Sequence, residues 1–330
     1  MRALIRMLDG RDPVRASSDH PDSPHGSDAN LVSPTCTALG KVSMKPHSQD
    51  CKTEAHMPKI ELGRIGAVLS PGDDGFVDTA VELEDLGYPT IWLTGGPMAS
   101  LDQIAGVIRA TQSVRVASGI IAVDRFPADD VIALYTELEA SHPRRFVVGL
   151  GGAHGADPMG TLNTYLDRVD EAIPTSARVM AALGPKMLDL ARTRAAGALP
   201  VLVTPEYTER ARSTLGDDTT LAVEQLVVVD TDAERARAAA RGPLGFLGTL
   251  PAYQANFRRM GFSDDDIATQ SDRLIDGLVY WGDVDSIATR IGEHHSAGAD
   301  HVAVSLVSGS PAAAVDGWRQ LAAVLLGPEG

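Results

Sequence analysis

The chain is poor in cysteine, in lysine and in aromatic side chains, and it has no basic face. Cys36 and Cys51 are its only cysteines, too few for a disulfide framework and not spaced like metal ligands. A formal charge of −15 leaves nothing to match a phosphate backbone, so nucleic acid is not an expected partner. No apolar run reaches the roughly 18–20 residues that cross a bilayer, and a secretory h-region is missing, so no membrane partner and a cytoplasmic location are expected. HExxH, a P-loop lysine, a nucleophile elbow and a Cys–His pair are all missing. Metallohydrolase and serine-hydrolase chemistry therefore have no residues to stand on.

The aromatic scarcity is uneven. Residues 1–58 hold no Phe, Trp or Tyr, are rich in Ser, Pro, His and Asp, and show no helical or strand period. Such a segment cannot bury enough apolar area to offset its ordering entropy. We read 1–58 as a disordered extension and 59–330 as the folded domain, with translation expected to begin at Met44 or Met57. Seven acidic residues weigh against a transit peptide; the mass of the natural N-terminus checks the start.

From Arg64 onward the sequence alternates. Apolar runs lie at 64–69, 90–94, 114–121, 146–150, 177–182, 199–203, 221–229 and 301–306. Between them are segments of helical spacing, such as Phe76, Ala80, Leu83 and Gly87, or Val131, Leu134, Tyr135 and Leu138. Glycines at Gly87, Gly197 and Gly298 are placed to close helices before the next strand. Ser70, Thr204 and Thr231 offer N-cap chemistry after strands. Eight such runs over about 265 residues are the arithmetic of a (β/α)8 TIM barrel; a doubly wound open sheet is the alternative. The interruption at 243–282 is read as a helical insertion before the last helix–strand pair, serving as a lid, a dimer contact or a satellite cluster at the barrel end.

The candidate chemistry lies at strand ends. Phe146-Val147-Val148-Gly149-Leu150-Gly151-Gly152-Ala153-His154 is an apolar run ending in a glycine turn, where backbone N–H groups can approach an anion. Its His154 stands where a dinucleotide fingerprint needs Gly or Ala, and it opens no first βαβ unit, so the Rossmann reading ranks low. Leu183-Gly184-Pro185-Lys186 opens a helix, and a free helix N-terminus attracts anions. Lys186 is one of two lysines after residue 58. Arg125 either meets an anion or lies in solvent, the second reading being preferred, and the adjacent His294 and His295 point apart, against a metal pair.

The segments Leu86–Leu93, Ala117–Ile120 and His142–Gly151 resemble the bacterial luciferase-like proteins, TIM-barrel oxidoreductases using FMN or the deazaflavin coenzyme F420. Ala181–Leu188, Val203–Glu206 and Ala297–Val302 are similar to the deazaflavin-using branch. The resemblance covers roughly 62–326 and rests on the order of its motifs. It implies a cis Gly119–Ile120 peptide bulging the third strand toward the ring, with Ser118 beside it. It implies cofactor contacts from Gly151, Gly152, Ala153 and His154, from Leu183, Gly184 and Pro185, and from Trp92 and Thr94 near the ring edge. Where the family's sugar-phosphate dehydrogenases carry an Asp–His pair, this chain has Gly95-Gly96, which leaves His154 as a substitute proton handler. The expected function is hydride transfer between F420 and a small-molecule substrate. The alternatives are an FMN-dependent monooxygenase and a non-catalytic barrel that binds flavin or F420. A homodimer is what the resemblance suggests.

Overall fold

The computed structural model describes residues 59–327; the extension expected over 1–58 lies outside the described residues. Strands β1 (Ile65–Leu69), β2 (Thr90–Thr94), β3 (Arg115–Gly119), β4 (Ile121–Ala122), β5 (Phe146–Gly151), β6 (Arg178–Ala181), β7 (Gly197–Leu199), β8 (Thr220–Val229), β9 (Val279–Gly282) and β10 (His301–Leu306) form one sheet, all paired in parallel. Strand β10 pairs with both β1 and β8, which closes the barrel and removes the open-sheet alternative. The helices between them are α1 (Phe76–Asp85), α2 (Asp102–Ala110), α3 (Ala128–Ser141), α4 (Pro158–Val169), α5 (Pro185–Arg194), α6 (Pro205–Leu215), α7 (Ala233–Leu247), α8 (Pro251–Arg259), α9 (Asp264–Thr269), α10 (Asp272–Leu278), α11 (Val284–Ser296) and α12 (Pro311–Leu325). None of the described helices is long and apolar enough to cross a membrane.

The period of two in the strands separates two cores. Val68, Trp92, Ala117, Val147, Val179, Leu199, Ala222 and Ala303 face inward, with Ile60 and Leu62 beneath them. Their neighbours Ala67, Ile91, Val116, Phe146, Met180, Val223 and Val302 face the helices. The segment before β1 plugs the lower end: Ile60 N donates to Thr220 Oγ1 at 3.0 Å and Thr90 Oγ1 to Leu62 O at 2.6 Å. Above it, Trp92 Nε1 donates to His301 Nε2 at 3.0 Å, and His301 Nδ1 donates to the Gly63 carbonyl at 2.8 Å. That tautomer is neutral, and burial holds the imidazole down at about 4.

Some local expectations change. Gly197 sits inside β7 rather than capping a helix; a Cβ there would stand 3.0 Å from both Thr220 O and Val179 Cγ1, so the residue permits close strand approach. Thr204 does cap α6, but Asp232 rather than Thr231 caps α7, and α1 starts at Gly75 without a side-chain cap. The insertion contains helices α8 to α10, as expected, and also the unforeseen strand β9. That strand pairs with the upper half of β8, from Leu226 to Val229, where β7 no longer reaches.

Candidate active site at the barrel mouth

The third barrel strand is interrupted. Ala117 pairs with Val147 and Ile121 with Leu150, so Ser118, Gly119 and Ile120 stand opposite Val148 and Gly149. This is a β-bulge, and the Gly119–Ile120 peptide within it is cis. Ser118 Oγ supplies the missing ladder partner, donating to Gly149 O at 3.0 Å and accepting from Gly149 N at 2.8 Å. Three glycines make the bulge possible. A Cβ on Gly95 would lie 1.6 Å from the Ile120 carbonyl, one on Gly149 would lie 1.8 Å from the Ser118 carbonyl, and one on Gly151 2.8 Å from Ala181 Cβ. The Ile120 side chain lies against Gly151 and Gly152, 3.4 Å from where either Cβ would be. Gly119 and Ile120 remain partly solvent-accessible at the C-terminal end of the barrel.

Thr94 ends β2 in register with Gly119, two residues beyond inward-facing Trp92. Its Oγ1 is buried and has no hydrogen-bond partner, an orphan that a bound group at the bulge would satisfy. Trp92, by contrast, is 1% exposed with its indole N–H already used. It supports the mouth from one layer below and does not line it. Ser118 is likewise fully buried and committed to the bulge.

The sequence-predicted loop residues spread around the rim. Gly152 takes the left-handed conformation (φ 70°). His154 is exposed, and its Nδ1 lies 2.5 Å from Asp124 Oδ2, making a rim pair outside the barrel interior. Leu183, Gly184 and Pro185 open α5, whose N-cap Gly184 makes no side-chain bond. Arg259 of the insertion reaches this point: its Nη2 is 3.6 Å from where a Gly184 Cβ would be. A guanidinium and a helix N-terminus thus meet, a combination that suits an anionic group. Arg125 donates from Nη1 to Gly95 O and Gly96 O at 3.1 and 3.0 Å, and from Nη2 to Met98 O at 2.7 Å. The loop after β2 is therefore pinned by Arg125 and carries no acid or base in the Gly95-Gly96 pair.

Three residues of the mouth escaped the sequence reading. Glu224 follows inward-facing Ala222 by two positions on β8 and pairs with Ala303. Burial raises its carboxyl pKa to about 7. Tyr253 on α8 is close enough to feel that charge, and Arg259 comes from the same helix. One signal was legible: Glu224 is the lone acid within the apolar run Leu221–Val229. Arg259 gave none and Tyr253 stood out only as one of the aromatics of the interruption at 243–282, because their positions depend on how the insertion folds back.

No family model matches the sequence, and no curated protein matches it. Solved structures do match in fold. An F420-dependent secondary alcohol dehydrogenase in complex with an F420–acetone adduct superposes with a TM-score of 0.63 at 15% identity, over 80% of this chain and 99% of that one. The coenzyme F420-dependent tetrahydromethanopterin reductase of Methanopyrus kandleri gives 0.63 at 17% identity, over 80% and 98%. The oxygenating constituent of 3,6-diketocamphane monooxygenase from Pseudomonas putida, in complex with FMN, gives 0.59 at 11% identity, over 80% and 97%. At these identities the likeness is one of architecture: this chain shares the closed (β/α)8 barrel fold of those enzymes.

Proposed function

We propose that the protein is an oxidoreductase that transfers a hydride between coenzyme F420 and a small organic substrate. The observation that carries this reading is the accessible Gly119–Ile120 bulge at the barrel mouth, beside the orphaned Thr94 hydroxyl. A flat tricyclic ring would rest against the bulge, and its anionic arm would meet the α5 N-terminus at Gly184 together with Arg259 and the Gly151-Gly152-Ala153 turn. When bound, the deazaflavin supplies the hydride chemistry. The chain's residues orient it, keep water from its inner face and hold protons nearby. Trp92 and Ser118 act in this account as supports beneath the contact surface, and His154 as a rim residue.

FMN is the second reading, favoured by the FMN-bound monooxygenase neighbour. Titrating the apoprotein with each compound and following fluorescence quenching separates the two. Saturable quenching of F420 at micromolar protein, with FMN at least about tenfold weaker, is expected; that ratio corresponds to about 1.4 kcal/mol. Selective FMN binding moves the assignment to a flavin monooxygenase, and binding of neither removes both.

A further inference from the structure

Strand β8 sends Ala222 into the barrel and Leu221 and Val223 toward the helices, so Glu224 projects inward one step nearer the mouth. Its lateral neighbours are Ala303 on β10 and Val201, which bridges it from the β7 side; neither offers a polar side-chain atom. Among the described residues the Glu224 carboxyl group has no hydrogen-bond or ion-pair partner. Tyr253 is the titratable group facing it from the insertion. Glu224 and Tyr253 are both half-buried, so solvent reaches the pair in part. Tyr253 itself is seated by Phe257, ring to ring at 6.3 Å, in the cluster that holds Leu202, Leu226 and Val228.

We propose that Glu224 is the acid–base group of the barrel mouth, giving its carboxyl proton to the oxygen or nitrogen of a small uncharged carbonyl or imine as hydride reaches the substrate carbon. The proposal rests on the hydride-transfer reading, with reduced deazaflavin as reductant. The incoming electron pair makes the new C–H bond, the C=O or C=N π pair moves to the heteroatom, and that atom takes the proton as the Glu224 O–H bond breaks. The carboxylate regains a proton from water. In oxidation of an alcohol each step reverses and the carboxylate accepts the hydroxyl proton. The apolar neighbours keep a substantial fraction of the group protonated at neutral pH, which a donor requires. His154, exposed and paired with Asp124, lacks that environment.

The test uses 2-diazo-2-phenylacetamide, which esterifies a carboxyl group only after taking its proton. At pH 7 the free full-length protein should be labelled at Glu224, by peptide mapping, at least about tenfold faster than at surface carboxylates. Labelling should decline above pH 7 and be blocked by F420, and Glu224→Gln should bind F420 within about threefold of wild type. Absence of preferential labelling overturns the proposal, as does a Glu224→Gln protein that reduces cyclohexanone with reduced F420 as fast as wild type. Fast labelling that F420 fails to block leaves Glu224 a proton donor and overturns its partnership with the coenzyme, so the two failures are distinguishable.

Discussion

At the scale of single residues, the mouth is built from absences of side chain. Gly95 replaces no function in this fold; it makes room for the Ile120 carbonyl, 1.6 Å from any Cβ. Backbone cannot yield as a flexible side chain can, so Gly95→Ala should cost about 3 kcal/mol in urea unfolding and abolish coenzyme quenching. Gly106→Ala is the control, because it lies in helix α2 with nothing within 4 Å of its Cβ. It should stabilise by roughly 0.5–1 kcal/mol through helix propensity alone. Equal effects of the two substitutions would contradict the steric account.

At the scale of elements, one carboxylate gathers several of the contacts that hold the insertion over 243–282 beside the barrel. Asp276 accepts from Arg237 Nε at 2.9 Å and Nη2 at 2.5 Å and from Trp281 Nε1 at 2.8 Å, while its carbonyl accepts from Arg290 Nη2 at 2.7 Å. Arg237 also lies over the Trp281 ring, 5.5 Å from its centroid. These contacts join α7, α10, β9 and α11, the elements on either side in sequence of the helix that carries Tyr253 and Arg259. Asp276→Ala leaves a half-buried guanidinium and an indole N–H short of partners, a loss of about 2 kcal/mol. Hydrogen exchange should quicken across 233–282 while β1 to β6 keep their protection; uniform loss of protection would show that the insertion is not a separable unit.

At the scale of the whole molecule, two buried histidines and the half-buried Glu224 act on stability in opposite senses. His294 touches Thr208 Oγ1 at 2.9 Å, Tyr280 OH at 2.9 Å and Gln225 Oε1 at 3.1 Å. Burial, His295 and Arg290 lower it from 6.5 to about 4, and burial foremost lowers His301 to about 4. A lowered histidine contributes stability above pH 6.5 that is lost as pH falls through 4. Glu224 is raised from 4.5 to about 7, so its contribution is full below pH 4.5 and lost as pH rises through 7. Glu224→Gln removes the opposing contribution. Its stability, measured by urea unfolding at pH 4.5, 6 and 8, should climb more steeply than wild type and exceed it at pH 8 by on the order of 2 to 3 kcal/mol. Parallel pH profiles would mean that the carboxyl group is ordinarily solvated.

The sequence by itself determined the architecture, and the family resemblance gave the place of the bulge. Alternation of apolar runs with helical spacing is a local property, set by periods of 2 and 3.6, and eight such units leave few ways to close a sheet. Gly151-Gly152 was legible because a backbone that must turn or approach closely selects glycine, and Gly184-Pro185 because Pro suits a first helical turn, whereas Gly119-Ile120 was expected from the family resemblance. The tertiary structure alone decided which side chains meet. Trp92 went beneath the mouth because His301, on the last strand, holds its indole N–H; His154 went to the rim, where Asp124 meets it. Strand β9, Tyr253 and Arg259 took their places through contacts between the insertion and strands distant in sequence. A carboxylate on β8 becomes a proton reservoir only when those distant apolar groups surround it, and no local period encodes that enclosure.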